Sequence, residues 1–141
     1  MQTYQVAVET HPTPDDGQFL ADQLYAYNVE QTGYDDGQYL TLWVKGPLGE
    51  RLAGLYGWTW GGSCYIQDLW VQKDLRGQGY GTKLLQAAEH EARTRGCHQV
   101  ILDSHDFQAP GFYQKLGYEV FAVLENHPRN HRNYYLRKQL G

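Results

Sequence analysis

Arg76-Gly77-Gln78-Gly79-Tyr80-Gly81-Thr82 is the segment whose residue types and spacing carry the most chemistry. Glycines at alternate positions let a backbone approach a ligand closely and permit the left-handed dihedrals of an anion-binding nest. A helix beginning here aims its free N–H groups and the positive end of its dipole at the same point. Arg76 adds a permanent charge and a fork of donors that matches phosphate oxygens. The pattern implies a phosphate or pyrophosphate ligand. A Walker A loop does not fit, because Gly81-Thr82-Lys83 reverses its Lys and Thr. A Rossmann loop does not fit either, since the pattern is GxGxG and the sequence has one crossover. A glycine-rich turn without a ligand is the plain alternative; a strand, an arginine and a helix agreeing around it weigh against that reading.

A second motif follows in Phe112-Tyr113-Gln114-Lys115-Leu116-Gly117-Tyr118, which sets a tyrosine on a short helix opened by Pro110 and stopped by Gly117. With Leu69-Trp70-Val71 before the glycine-rich loop and a long helix after it, the two motifs resemble the GNAT acetyltransferase superfamily over about residues 38–124. The resemblance implies acetyl-CoA as cosubstrate and direct transfer of its acetyl group to a primary amine, of a small molecule or a peptide. It implies that Leu69, Trp70 and Val71 pair with pantetheine, and that Arg76, Gly77, Gln78, Gly79, Tyr80, Gly81 and Thr82 cradle the pyrophosphate. Tyr113 matches the residue that protonates the departing thiolate. Many relatives carry Asn seven residues before that tyrosine; here Asp106 stands there, so a negative charge lies near the cofactor or the loop is re-aimed. A non-catalytic acyl-CoA sensor is the rival reading.

Transfer to an amine requires a proton acceptor, an oxyanion donor and protonation of the thiolate. A phenol of pKa about 10 can protonate a thiolate of pKa about 8.5 at modest cost if well placed; Tyr113 is the candidate, with packing of a Phe112–Tyr113 face as its alternative. For the base, Asp68 lies in an apolar strand and shares a face with Ile66 and Trp70 by alternation, so burial is expected to raise its pKa. Asp68 can instead satisfy donors at a bulge, Asp103 is a second candidate base, and proton loss to water is a third route. A backbone N–H near Val71 suits the oxyanion. His105, just after the strand that ends at Asp103, is a candidate for the substrate mouth, with a structural role as its alternative. His127 and His131 flank Pro128, which argues against a helical metal pair, and no metal site is expected. Cys64 and Cys97 lie outside both motifs, against a thiol nucleophile.

The elements that must position these residues follow from periodicity. Tyr4–Val8 alternates like a first strand. Thr13-Pro14-Asp15-Asp16 starts a helix carrying Leu20, Leu24 and Tyr27. Strands are expected over 39–45, 51–60 (with bulges at Gly54 and Gly57), 63–71, 100–103, 118–124 and 133–138. A helix spans 80–95, with Leu84, Leu85, Ala88 and Ala92 on its apolar face and Glu89–Arg93 and Glu91–Arg95 as i,i+4 pairs. Arg129, Arg132, Arg137 and Lys138 suggest a solvated edge strand. The fold class is α/β: a mixed, mostly antiparallel central sheet with one parallel, splayed strand pair, flanked by helices. The 141 residues suit one domain, 1–141. A net charge of −4 gives little reason to expect nucleic acid as a partner. No apolar run reaches bilayer length, so no membrane partner is expected. Two isolated cysteines fit the cytoplasm, and a monomer or homodimer is expected. Residues 1–50 hold eight acids and one base, a net −7, and Asp35-Asp36 are placed to give an acidic mouth that draws cationic acceptors.

Overall fold

The computed structural model describes all 141 residues, in two compact units, Met1–Asp35 and Asp36–Gly141. In the first, helix α1 runs Pro14–Thr32, with proline at its start. The Asp16 carboxylate accepts the Thr13 N–H at 3.0 Å, which closes the first turn. Gly33, at φ 79°, ends the helix and donates its N–H to the Val29 carbonyl at 2.7 Å. Leu20, Leu24 and Tyr27 are exposed. The strand expected over Tyr4–Val8 does not form. Alternation supplies the side chains of a strand, but a strand also needs a ladder partner, and this segment pairs with none.

The second unit is a six-stranded sheet in the order β1-β2-β3-β4-β6-β5. Its strands are β1 (Gln38–Lys45), β2 (Arg51–Trp60), β3 (Ser63–Val71), β4 (Gln99–His105), β5 (Glu119–Glu125) and β6 (Arg132–Gln139). Every neighbouring pair is antiparallel except β3–β4, which helix α2 (Tyr80–Thr94) connects as a crossover. A shorter helix, α3 (Pro110–Lys115), joins β4 to β5. The apolar stripe Leu84, Leu85, Ala88 and Ala92 of α2 is buried in one cluster with Leu55, Val100, Leu102 and Leu136. Each such leucine contributes roughly 2–3 kcal/mol.

Polar anchors fix α2 at both levels. Arg95 pairs with Glu91 at 3.1 Å and donates Nη1 to the Tyr39 carbonyl and Thr59 Oγ1, each at 3.1 Å. Glu89 does not meet Arg93 as the spacing suggests. It is buried, accepting from the Tyr118 hydroxyl at 2.8 Å and from Lys138 Nζ at 3.0 Å. A charge turned inward needs such partners, and a tertiary cation outcompetes the surface one. The expected edge strand is also corrected: β6 is internal, between β4 and β5. Its basic residues face acids rather than only water, with Arg132 on Glu125 at 3.1 Å and Arg137 on Glu119 at 3.2 Å.

Of the two expected bulges on β2, one exists. The register slips between Tyr56 and Gly57, where β3 carries Gln67 as an extra residue. A Cβ on Gly57 would sit 2.0 Å from the Tyr65 carbonyl oxygen, so only glycine fits. At Gly54 the ladder is regular, and a Cβ would meet the Trp43 ring at 2.4 Å, so this glycine makes room for an aromatic face.

Candidate active site at a fork in the sheet

The parallel pairing of β3 and β4 covers four residues, Ser63–Ile66 against Gln99–Leu102. Beyond them the strands separate, and a cavity of about 840 Å³ fills the gap. The end of β3 forms one wall, the glycine-rich loop and the start of α2 the second, and the end of β4 with α3 the third. Of the residues read from the sequence, Asp68, Leu69, Trp70, Val71, Arg76, Gly77, Gly79, Tyr80, Gly81, Thr82 and Tyr113 all line it. Gln78 does not; its side-chain amide folds back onto the Asp74 carbonyl at 3.1 Å.

The loop is built to present backbone. Gly77 and Gly79 have φ of +78° and +89°, and a Cβ on either would meet no protein atom within 4 Å. The conformation therefore demands glycine, while the space a side chain would take stays open. Gly79 begins α2 without a side-chain cap, and Lys83 N–H is the one that reaches back to its carbonyl, at 3.0 Å. The N–H groups of Tyr80, Gly81 and Thr82 thus have no partner within the helix. Arg76 Nε donates to the Val71 carbonyl at 2.9 Å, which straps the loop to β3 and leaves its terminal nitrogens for an anion. Open glycine positions, uncapped amides and a strapped guanidinium fit a pyrophosphate group.

Tyr113 is buried, and burial first and the Asp103 charge second push its phenol up to about 12. Phe112, which the sequence reading left as packing, lines the cavity too. Its ring would meet a Cβ on Gly81 at 3.3 Å, so α3 and the first turn of α2 touch through this pair. Phe107, Gln108 and Ala109 complete the wall without a motif to flag them.

The expected burial of Asp68 does not occur. The extra residue at Gln67 breaks the alternation, so Ile66 is buried while Gln67, Asp68 and Trp70 are exposed to the gap. Asp68 accepts one hydrogen bond, from the Gln67 amide at 3.3 Å. Asp103 is half-buried, and both its oxygens are engaged, by the Tyr65 hydroxyl at 2.9 Å and by Asn133 Nδ2 at 3.0 Å. Asp106 resolves toward the re-aimed loop. It accepts the Arg132 N–H at 2.9 Å and faces His131 Nδ1 at 2.9 Å, and these bonds hold its carboxyl below the usual range. It does not line the cavity, and neither does His105, whose Nδ1 lies 2.9 Å from the His127 carbonyl. Of the pair expected to form an acidic mouth, Asp36 is engaged elsewhere. Asp36 accepts the Gly61 N–H at 3.0 Å, in the β2–β3 hairpin turn at the other end of β3.

Comparison with known proteins agrees with this geometry. The model of the acetyltransferase (GNAT) family matches residues 2–118. The blasticidin-S acetyltransferase of Streptomyces morookaense is 38% identical over 99 residues, which are 67% of this chain and 71% of that protein. The crystal structure of an acetyltransferase from Bacillus cereus superposes with a TM-score of 0.79 at 31% identity, covering 95% of this chain and 98% of the other. An aminoglycoside 6′-N-acetyltransferase complexed with coenzyme A shares the fold, with a TM-score of 0.66 at 18% identity over 92% of this chain and 93% of its own. The chain therefore belongs to the GNAT acetyltransferase family and is an N-acetyltransferase that draws its acetyl group from acetyl-CoA.

Proposed function

We propose that the protein acetylates a cationic primary amine, a small molecule or a peptide, by direct attack without an acyl-enzyme. The observation that carries this reading is the composition of the fork. One cation, Arg76, lies on the loop side, and two carboxylates, Asp68 and Asp103, lie on the strand side. A cavity divided in this way suits an anionic cofactor at one end and a cationic acceptor at the other. No thiol lines it. Cys64 and Cys97 are buried, and burial pushes the Cys64 thiol up to about 12, so neither offers a thiolate at neutral pH.

When bound, acetyl-CoA supplies a thioester carbon open to attack. Arg76 and the backbone of Gly77 through Thr82 hold its pyrophosphate, Gln78 contributing through its main chain. The backbone groups of Leu69, Trp70 and Val71 that neither β2 nor Arg76 takes up align the pantetheine arm, and a backbone N–H near Val71 receives the oxyanion. Asp68 takes the proton that the attacking nitrogen loses. Tyr113 faces the sulfur as the carbon–sulfur bond breaks. With its phenol near 12 and a thiol near 8.5, complete proton transfer is uphill by roughly 5 kcal/mol. Tyr113 therefore acts chiefly by donating a strengthening hydrogen bond as charge builds on sulfur. Because the family match runs through both units, we read residues 1–141 as one functional domain. Two free cysteines accord with work in the reducing cytoplasm. The test is acetyl-CoA consumption over a panel of cationic, neutral and anionic amines, with products identified by mass spectrometry. N-acetyl products that form fastest from cations are expected; a preference for anionic amines would overturn the acceptor class.

A further inference from the structure

Asp103 stands where β3 and β4 part, one residue beyond the last parallel pair, and it lines the cavity. None of the protein's ion pairs includes it. Its two oxygens are instead fixed by neutral donors, Tyr65 Oη at 2.9 Å and Asn133 Nδ2 at 3.0 Å. These bonds orient the carboxylate without cancelling its charge.

The support costs the fold something. Asn133 is 1% exposed, and its Oδ1 has no hydrogen-bond partner. Turning the amide over would aim that oxygen at the carboxylate, so Asp103 dictates the orientation and leaves the other end of the amide orphaned. Buried acceptors are seldom left bare, and a retained one calls for a reason. Aromatic rings stand on both sides. Tyr65 lies on β3, with Trp58 behind it at 4.9 Å, and Tyr135 is the register partner of Asp103 on β6. No cation of the protein lies over any of these three rings. Of this group Asp103 alone lines the cavity, and a fixed, unpaired carboxylate at a cavity wall is a receptor for an organic cation.

That cation is not the reacting nitrogen. An amine must be neutral to attack, and an oriented carboxylate against it would stabilise the unreactive ammonium form. We infer that Asp103, held by Tyr65 and Asn133, binds a second, non-reacting cationic group of the acceptor, so that the preferred substrates are diamines or amines bearing another ammonium or guanidinium. The inference rests on the amine-transfer reading above. Asp103 is then a specificity-determining residue, distinct from Asp68 on the facing strand.

The experiment compares 1,4-diaminobutane with 4-amino-1-butanol, acceptors of equal length that differ in the second cation. kcat/KM is measured for the wild type, Asp103→Asn and Asp103→Ser, with stabilisation by CoA as the check of folding. The serine variant removes the charge without setting an N–H against the Asn133 amide. A wild-type preference for the diamine of roughly 10- to 100-fold is expected, as for a charge-assisted contact. Either folded variant should reduce it to the statistical factor of the diamine's two amines, chiefly through KM. An equal fall for both acceptors, an unchanged ratio, or no wild-type preference overturns the inference alone. No turnover of either acceptor while single-charge amines of the panel are acetylated also overturns the inference alone; no turnover across the whole panel, with CoA stabilisation intact, overturns the amine-transfer reading on which it rests.

Discussion

At the scale of the residue, Tyr113 is the proposed proton donor, and its surroundings weaken its acidity. Burial holds the phenol neutral throughout the working range, up to about 12. Tyr113→Phe should lower kcat roughly 10²-fold and leave CoA affinity nearly unchanged, because the lost bond strengthens only as the thiolate forms. Steady-state kinetics and CoA titration check this; a kcat within twofold of wild type would make Tyr113 a packing residue. The sign of its shift also fixes a pH dependence. A raised phenol keeps its proton as pH rises, so no alkaline loss of kcat assignable to Tyr113 should begin below about pH 11. That the loop glycines, Arg76 and Tyr113 gather around one cavity was legible in the sequence, because their motifs depend on near neighbours in the chain. Asp68 was legible as a candidate but not as an exposed one, because the bulge at Gln67 belongs to the pairing of β3 with β2. Nor could the sequence place Asp106, whose partners His131 and Arg132 arrive from the far side of α3 and β5.

At the scale of the element, α2 is an anchored helix with an open start. Its far end is tied by Arg95 and its middle by Glu89, while its first turn offers amides to the cavity. Gly79→Val should abolish or strongly reduce thermal stabilisation by CoA. A β-branched side chain both strains φ +89° and fills the open approach to those amides. Circular dichroism establishes that the variant is folded; full stabilisation by CoA in a folded variant would remove the loop from the binding site. Periodicity and caps located most elements to within a residue or two, since α1, α2 and the hairpin strands carry local signals. Two failures have a common physical origin. Tyr4–Val8 has the alternation of a strand and no partner, while the basic face of β6 looks solvent-exposed until Glu125, Glu119 and Glu89 are brought opposite it. Strand order decides both, and strand order is not a local property.

At the scale of the whole molecule, charge distribution mattered in a different place from the one the chain halves suggested. Asp36 is taken up by the hairpin turn, and the carboxylates that face the cavity are Asp68 and Asp103. Ionisation also sets an alkaline limit on the fold. Tyr65 and Tyr113 are each raised to about 12, Tyr118 is raised by burial and its bond to Glu89, and both thiols are raised by burial. Groups raised in the folded state stabilise it below their unfolded values of about 8.5 to 10, and that stability is lost as pH climbs through the folded values. Tm should hold up to about pH 8 and fall steadily between about pH 9 and 12; a Tm independent of pH across that window would contradict the burial of these groups. A mechanical consequence follows from the short parallel ladder. β1–β3 form one stiff leaf and β4, β6 and β5 another, and four residue pairs make the spine between them. Such a book can flex about its spine, most at the unbound edge where the pages part. A cosubstrate lying in that gap works as a brace, converting two leaves into one plate. Amide hydrogen exchange should then slow on CoA binding most in residues 67–71 and 103–105, and least in the outer strands β1 and β5. Uniform slowing would mean that the spine is already rigid and that the cosubstrate adds contacts without stiffness.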